Sequence, residues 1–159
     1  MTTHVTLQQV TQYLWAEADM LDARDYDTWL GLWADGGHYV IPVDKESDDF
    51  ANCLNIAYDN AAMRLARVRR LQGGFSISAA PPAESVRTLS RFVMEPVDET
   101  TVKVRAAQHV VEDKFGRQRM FAANVSWDLA IFEGGLMIRN KVVRLLNSDG
   151  MLTSISYLF

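Results

Sequence analysis

The chain has 159 residues, one cysteine, and a formal charge of −4 at pH 7 from 20 acidic and 16 basic side chains. That length predicts a single domain, residues 1–159, able to bury a core; one thiol excludes a disulfide framework, a cysteine-rich zinc site and an iron–sulfur cluster held by this chain alone. The mild acidity argues against a nucleic-acid partner, and no apolar run nears the roughly 18 residues that span a bilayer.

The start, Met1-Thr2-Thr3-His4, lacks the charged and apolar regions of a secretory signal, so a cytoplasmic protein with no membrane partner is expected. Thr6 and Gln9 have the spacing of a capping box, with Val5 and Val10 placed as a hydrophobic staple. Leu7, Val10, Leu14, Ala18 and Leu21 recur every three or four residues, which predicts an amphipathic helix. Tyr26, Trp29, Leu30 and Trp33 predict a second, short helix stopped by Gly36-Gly37, so that helices fill about residues 6–35. His38–Val43 reads as a strand (38–43), residues 44–52 as a polar loop, and the alternation of Leu54, Ile56 and Tyr58 as a strand over 53–58. Asp59 is the expected N-cap of a helix over 60–72 closed by Gly73-Gly74. Its apolar stripe, Ala61, Leu65 and Val68, opposes a basic side drawn from the run Arg64-Leu65-Ala66-Arg67-Val68-Arg69-Arg70.

A loop with Pro81-Pro82 leads into a meander, with strands expected over 86–96, 101–113, 117–132, 136–147 and 151–159. The turns between them are signalled by Asp98-Glu99-Thr100, Lys114-Phe115-Gly116, Glu133-Gly134-Gly135 and Ser148-Asp149-Gly150. Val102, Val104, Ala106 and Val110 share one strand face; so do Phe121, Ala123, Val125, Trp127, Leu129 and Ile131, and finally Met151, Ile155, Tyr157 and Phe159. Helices followed by long antiparallel strands make an α+β domain, and a strongly curved sheet can wrap the N-terminal helices as a cone. The second face of residues 117–131 carries Met120, Ala122, Asn124, Ser126, Asp128 and Ala130, without Lys, Arg or Glu. Such a face is hard to leave in water and reads as a partner surface, or as one covered by other parts of the chain.

Motifs that carry chemistry are sparse. His4, His38 and His109 show neither a helical pair nor a His-x-His spacing, and His109 alternates with Lys103 and Arg105 on an outward face. There is no nucleophile elbow, phosphate-binding loop or dinucleotide fingerprint, and Cys53 has no activating neighbour in sequence. Asp19, Asp22, Asp25, Asp27 and Asp35 cluster near helix ends, where capping is the favoured role. Lys45, Lys103, Lys114 and Lys141 are the only lysines; the arginine excess fits either codon composition or planar interface contacts.

Three blocks resemble the small (beta) subunits of aromatic-ring-hydroxylating dioxygenases. The first is Leu21-Asp22-Ala23-Arg24-Asp25-Tyr26-Asp27-Thr28-Trp29-Leu30 with Trp33-Ala34-Asp35 and Tyr39-Val40-Ile41-Pro42. The second is Tyr58-Asp59, Arg64, Arg67-Val68-Arg69-Arg70-Leu71, Gly74, Pro82 and Arg87-Thr88, the family's frequent Arg-His continuation being Leu89-Ser90 here. The third is Lys141-Val142-Val143-Arg144-Leu145-Leu146-Asn147 with Leu152-Thr153-Ser154-Ile155. The resemblance implies a cone-shaped α+β barrel of the nuclear transport factor 2-like type, with a curved mixed or antiparallel sheet. It implies a structural, non-catalytic subunit of a homotrimer or heterohexamer in aromatic compound catabolism. The Rieske iron–sulfur cluster and mononuclear iron are then expected on a partner alpha subunit, with no cofactor or metal here. Arg64, Arg67, Arg70 and Arg87 become candidates for ion pairs or subunit contacts.

The competing reading is a stand-alone dehydratase, isomerase or hydrolase of the same fold, or a homo-oligomer that binds a small ligand in its cone. Ketosteroid-isomerase-like members place an acid before a proline at the end of the first strand, where Ile41-Pro42 stands here. Were the chain such an enzyme, its candidate residues would be Tyr13, Asp22, Tyr26, His38, Asn124 and Asp128.

Overall fold

A computed structural model describes residues 4–73, 84–133, 135–146 and 158–159. Helix α1 (Leu7–Asp22) begins at Thr6, whose hydroxyl accepts from the Gln9 N–H while the Gln9 side chain accepts from the Thr6 N–H. Val10, Leu14, Ala18 and Leu21 are its buried stripe, and Glu17 lies in the middle of it. Helix α2 (Tyr26–Leu30) is capped by the Asp25 carboxylate and ends before the expected Trp33. The sheet takes the chain over from there: Leu32 and Ala34 exchange main-chain hydrogen bonds of 2.7 and 2.8 Å with Ile138, and Trp33 forms a parallel bridge to it. Gly36 and Gly37 both have φ of +78°, and a Cβ on Gly37 would lie 1.7 Å from the Arg139 carbonyl. These glycines therefore let the chain cross tightly into the sheet, rather than merely stopping a helix.

The strands are β1 (Tyr39–Pro42), β2 (Asn55–Asp59), β3 (Glu84–Pro96), β4 (Thr101–Lys114), β5 (Arg117–Phe132) and β6 (Gly135–Leu145), with helix α3 (Ala61–Gln72) between β2 and β3. They form one curved sheet in the order β2-β1-β6-β5-β4-β3, antiparallel except for the parallel β1–β6 pair. The fold is α+β and the sheet mixed; among the described residues it does not close into a barrel, and β2 and β3 are its edges. Register shifts between Ser90 and Val93 and between Asp128 and Leu129 bend the long strands, the first with Arg91 at a φ of 57°. The inner face carries Val102, Val104, Ala106 and Val110 of β4 and Phe121, Ala123, Val125, Trp127 and Leu129 of β5, packed on the buried stripe of α1. Trp29 of α2, Trp33 and Tyr39 meet edge to face at 5.5–6.4 Å.

Two local expectations change. Asp59 is not the cap of α3: Asn60 caps it, accepting from the Met63 N–H at 3.0 Å, and Asp59 closes β2 opposite Tyr39 with its side chain buried. The face of α3 turned to the protein is Arg64 and Val68, while Ala61 and Leu65 are exposed. A basic side faces inward because acceptors wait there: Arg64 donates to the carbonyls of Gly37 and Asp59 and lies 4.0 Å over the Trp33 ring. Gly74, Pro81-Pro82, Gly134, the Ser148-Asp149-Gly150 turn and the 151–157 part of the last expected strand lie outside the described residues. Leu158 and Phe159 are described; they are buried and form no strand.

Candidate functional site

Among the described residues, the inner face of the sheet carries a polar network set in aromatic surroundings. Glu17 Oε2 accepts from Trp29 Nε1 and from Lys141 Nζ, both at 2.9 Å, and Oε1 accepts from Trp127 Nε1 at 3.0 Å. Both charged side chains are 1% exposed. Such a pair is tolerable because both carboxylate oxygens and the ammonium have hydrogen-bond partners. Lys141 also donates at 2.9 Å to the main-chain oxygen of Phe159, which Gln108 Nε2 reaches at 3.4 Å. The Phe159 N–H donates to the Tyr39 hydroxyl at 2.8 Å, and its ring meets Phe121 edge to face at 5.5 Å. Arg87 donates to the Leu158 carbonyl and to the Asp22 carboxylate, which also accepts from the Ser85 hydroxyl and the Arg87 N–H.

Burial lowers the Lys141 pKa, opposed by the Glu17 charge, and raises the phenols of Tyr13, Tyr26 and Tyr39 above their ordinary 10.0. Folded chains then hold three tyrosine protons that unfolded chains release near pH 10, so this stabilisation is complete below that pH and is lost above it. Lys141 acts oppositely, its lowered pKa adding stability as pH rises toward its ordinary value. Urea melts between about pH 10 and about pH 11, where the phenols of the unfolded chain titrate, should show the midpoint falling; a rising midpoint there contradicts the raised pKa of these phenols.

The six residues proposed for catalysis do not share one site. Tyr13 donates to the Leu32 carbonyl at 3.3 Å, Asp22 is engaged by Arg87 and Ser85, and Tyr26 is buried at the start of α2. His38 and Asp128 lie on the opposite side of the sheet, in an outer cleft of about 470 Å³ also lined by Phe50, Tyr58, Lys103 and Arg144. There His38 stacks on Tyr58 at 4.5 Å and Asp128 accepts from Asn140 Nδ2 at 3.1 Å. Asn124 is exposed on the outer face of β5 and accepts from Arg91 at 2.5 Å. His109 is exposed on β4.

Of the arginine candidates, Arg64 and Arg87 are buried, Arg67 grips Asp59 through two hydrogen bonds of 2.5 and 3.1 Å, and Arg70 is exposed. Glu17 and Lys141 escaped the reading of the motifs, although their spacing marked them. Glu17 falls on the stripe of Val10, Leu14 and Leu21, and Lys141 alternates with the buried Val143 and Leu145. Neither position tolerates a charge without a partner.

Among the described residues no three His, Cys, Asp or Glu side chains group as a metal site. A Rieske cluster needs two cysteines and two histidines; Cys53 is the sole cysteine, its sulfur 2.7 Å from the Ser47 hydroxyl, and the residues present do not fit such a group. No helix among the described residues is long and apolar enough to cross a membrane.

The curved mixed sheet over N-terminal helices is a fold of the nuclear transport factor 2-like type. A protein of that class with a cystatin-like fold, from Novosphingobium aromaticivorans, superposes with a TM-score of 0.59 at 14% identity, covering 91% of this chain and 83% of the other. Within the class, the family model of the ring hydroxylating beta subunit matches residues 16–149, and the chain belongs to that family. It is 21% identical to the anthranilate 1,2-dioxygenase small subunit of Acinetobacter baylyi, covering 87% of this chain and 88% of that one. The beta subunit of the benzoate 1,2-dioxygenase from Burkholderia mallei shares the fold with a TM-score of 0.82 at 19% identity, covering 98% of this chain and 99% of the other. The chain is thus a beta subunit of a ring-hydroxylating dioxygenase.

Proposed function

We propose that this beta subunit is structural and non-catalytic. On this reading it supports assembly with an alpha subunit in a cytoplasmic heterohexamer acting in aromatic compound catabolism. The alpha subunit would carry the Rieske cluster and the mononuclear iron. The observation that carries the reading is that, among the described residues, Glu17, Lys141, Trp29, Trp127 and Phe159 are spent on contacts with one another inside the fold. The outer face supports it too. Val86, Val111 and Met120 are register neighbours across β3, β4 and β5, and all three are exposed, a row of apolar side chains that water does not favour.

Co-expression with a dioxygenase alpha subunit from the same organism should give a stable complex with oxygenase activity. The chain alone should have neither activity nor visible absorbance. Replacing Met120 by Glu should weaken the complex while leaving the melting temperature of the isolated chain within a degree or two, as surface substitutions do. Failure to associate, together with turnover of a small aromatic substrate by the chain alone, would reverse the assignment.

A further inference from the structure

The outer cleft of about 470 Å³ is built on two register rows of the sheet. One row joins Lys103, Asp128 and Asn140; the other joins Ser126, Val142, Val40 and Tyr58. Its two ends differ. Toward β1 and β2 the buried Val40 and Val142 form the floor, with the stacked His38 and Tyr58 and the Phe50 ring around them. At the β4–β5 end stand Lys103 and Asp128, opposite in charge and directly opposite in register. Such neighbours have Cβ atoms about 5 Å apart and gain from pairing.

Among the described residues, no ion pair joins them. Glu95, the other register neighbour of Lys103, pairs with Arg105 at 3.7 Å. Asp128 is held by Asn140, whose Nδ2 donates to Oδ2 at 3.1 Å and whose Oδ1 accepts from the His38 N–H at 2.9 Å. The loop side of the cleft is fixed as well. Arg144 donates to the carbonyls of Lys45 and Ser47 and to the Asp48 carboxylate, and lies 5.3 Å over the Phe50 ring. Its charge is spent on the loop, so Lys103 and Asp128 are the two charges of the cleft left to a ligand.

We propose that this cleft binds a free apolar α-amino acid, its ammonium on Asp128, its carboxylate on Lys103 and its side chain over Val40 and Val142. An α-amino acid carries both charges on one carbon, which suits two opposite charges about 5 Å apart that do not meet. A simple anion or a simple cation would satisfy one of them and be repelled by the other. The proposal goes beyond the assembly role and is independent of it. Lys103 lies eight residues along β4 from Val111, roughly 27 Å at about 3.4 Å per residue, so a partner seated on the row of Val86, Val111 and Met120 need not cover the cleft.

Titration calorimetry and thermal melts of the full chain with L-leucine test it. One molecule per chain should bind with a Kd below about 1 mM and raise the melting temperature. Three analogues should each bind at least about tenfold more weakly: 4-methylpentanoate lacks the ammonium, 3-methylbutylamine lacks the carboxylate, and glycine lacks the apolar body. Asp128→Asn and Lys103→Met should each lower the L-leucine affinity at least about tenfold, with a melting temperature within about two degrees of the unchanged chain, since neither side chain is buried. Asp128→Asn should not weaken the binding of 4-methylpentanoate, which offers that carboxylate nothing to hold. A Kd for L-leucine above about 1 mM overturns the proposal. So does equal affinity for any of the three analogues, or an unchanged L-leucine affinity in either variant. If a variant does not fold, the analogues on the unchanged chain decide.

Discussion

Replacing Glu17 by Leu is expected to destabilise the chain by roughly 3–5 kcal/mol, the usual effect of removing one partner from a buried ion pair. Three donors converge on this carboxylate, from Trp29, Trp127 and Lys141, and all of them are inside the protein. The Leu side chain would fill part of the space yet leave an ammonium and two indole N–H groups without an acceptor. The double variant Glu17→Leu, Lys141→Met should recover most of the loss, since two apolar side chains of similar length replace both charges at once. It would still leave the Phe159 oxygen to Gln108 alone and the two indoles unpaired, so recovery should stop short of the unchanged chain. Urea unfolding of the two single variants and the double variant measures the coupling. Additive losses would mean that the pair does not act as a unit.

Arg67 and Arg70, three residues apart on α3, are expected to separate sharply. Arg67→Ala should cost about 3 kcal/mol, the low end for a stranded buried charge, because Asp59 is 4% exposed whereas Arg67 itself is 29% exposed and water can partly replace it. The Asp59 hydrogen bond raises the pKa of the Arg67 guanidinium above its ordinary value, so Arg67 stays charged on the alkaline side. Arg70→Ala should change stability by no more than about 0.5 kcal/mol, since its side chain is exposed. On the assembly reading, any effect of Arg70→Ala should appear instead in the alpha–beta association. Thermal melts and size-exclusion chromatography of the two variants test the split. A large stability loss from Arg70→Ala, or none from Arg67→Ala, contradicts the geometry.

The pattern of the long strands was legible because a strand places alternate side chains on opposite faces whatever lies beyond it. Val102, Val104, Ala106 and Val110 are buried, as are Phe121 through Leu129 at alternate positions, and His109 is exposed with Lys103 and Arg105. The capping box at Thr6 was legible for the same reason: its partners are three residues apart. Helix α3 was misread. An apolar stripe names the buried face only when nothing stronger competes, and here the carbonyls of Gly37 and Asp59 and the Trp33 ring draw Arg64 inward. Asp59 looked like a cap because Asp before a helix usually is one; the bidentate contact with Arg67 uses its carboxylate instead, and Asn60 takes the cap.

By itself the sequence determined the α+β class, the inward and outward faces of β4 and of β5 as far as Leu129, and the exclusion of a cysteine-held cluster by one thiol; past the register shift at Leu129 it is Ala130 that is buried, not Ile131. All are matters of composition or of spacing within a few residues. Tertiary structure alone decided what fills the interior. Glu17 and Lys141 are 124 positions apart, and Tyr39 and Phe159 are 120 apart. No periodic signal spans such distances. A charge on an apolar stripe shows that a partner must exist, because burying it alone is prohibitive; which residue answers it is set by the order in which the strands pair.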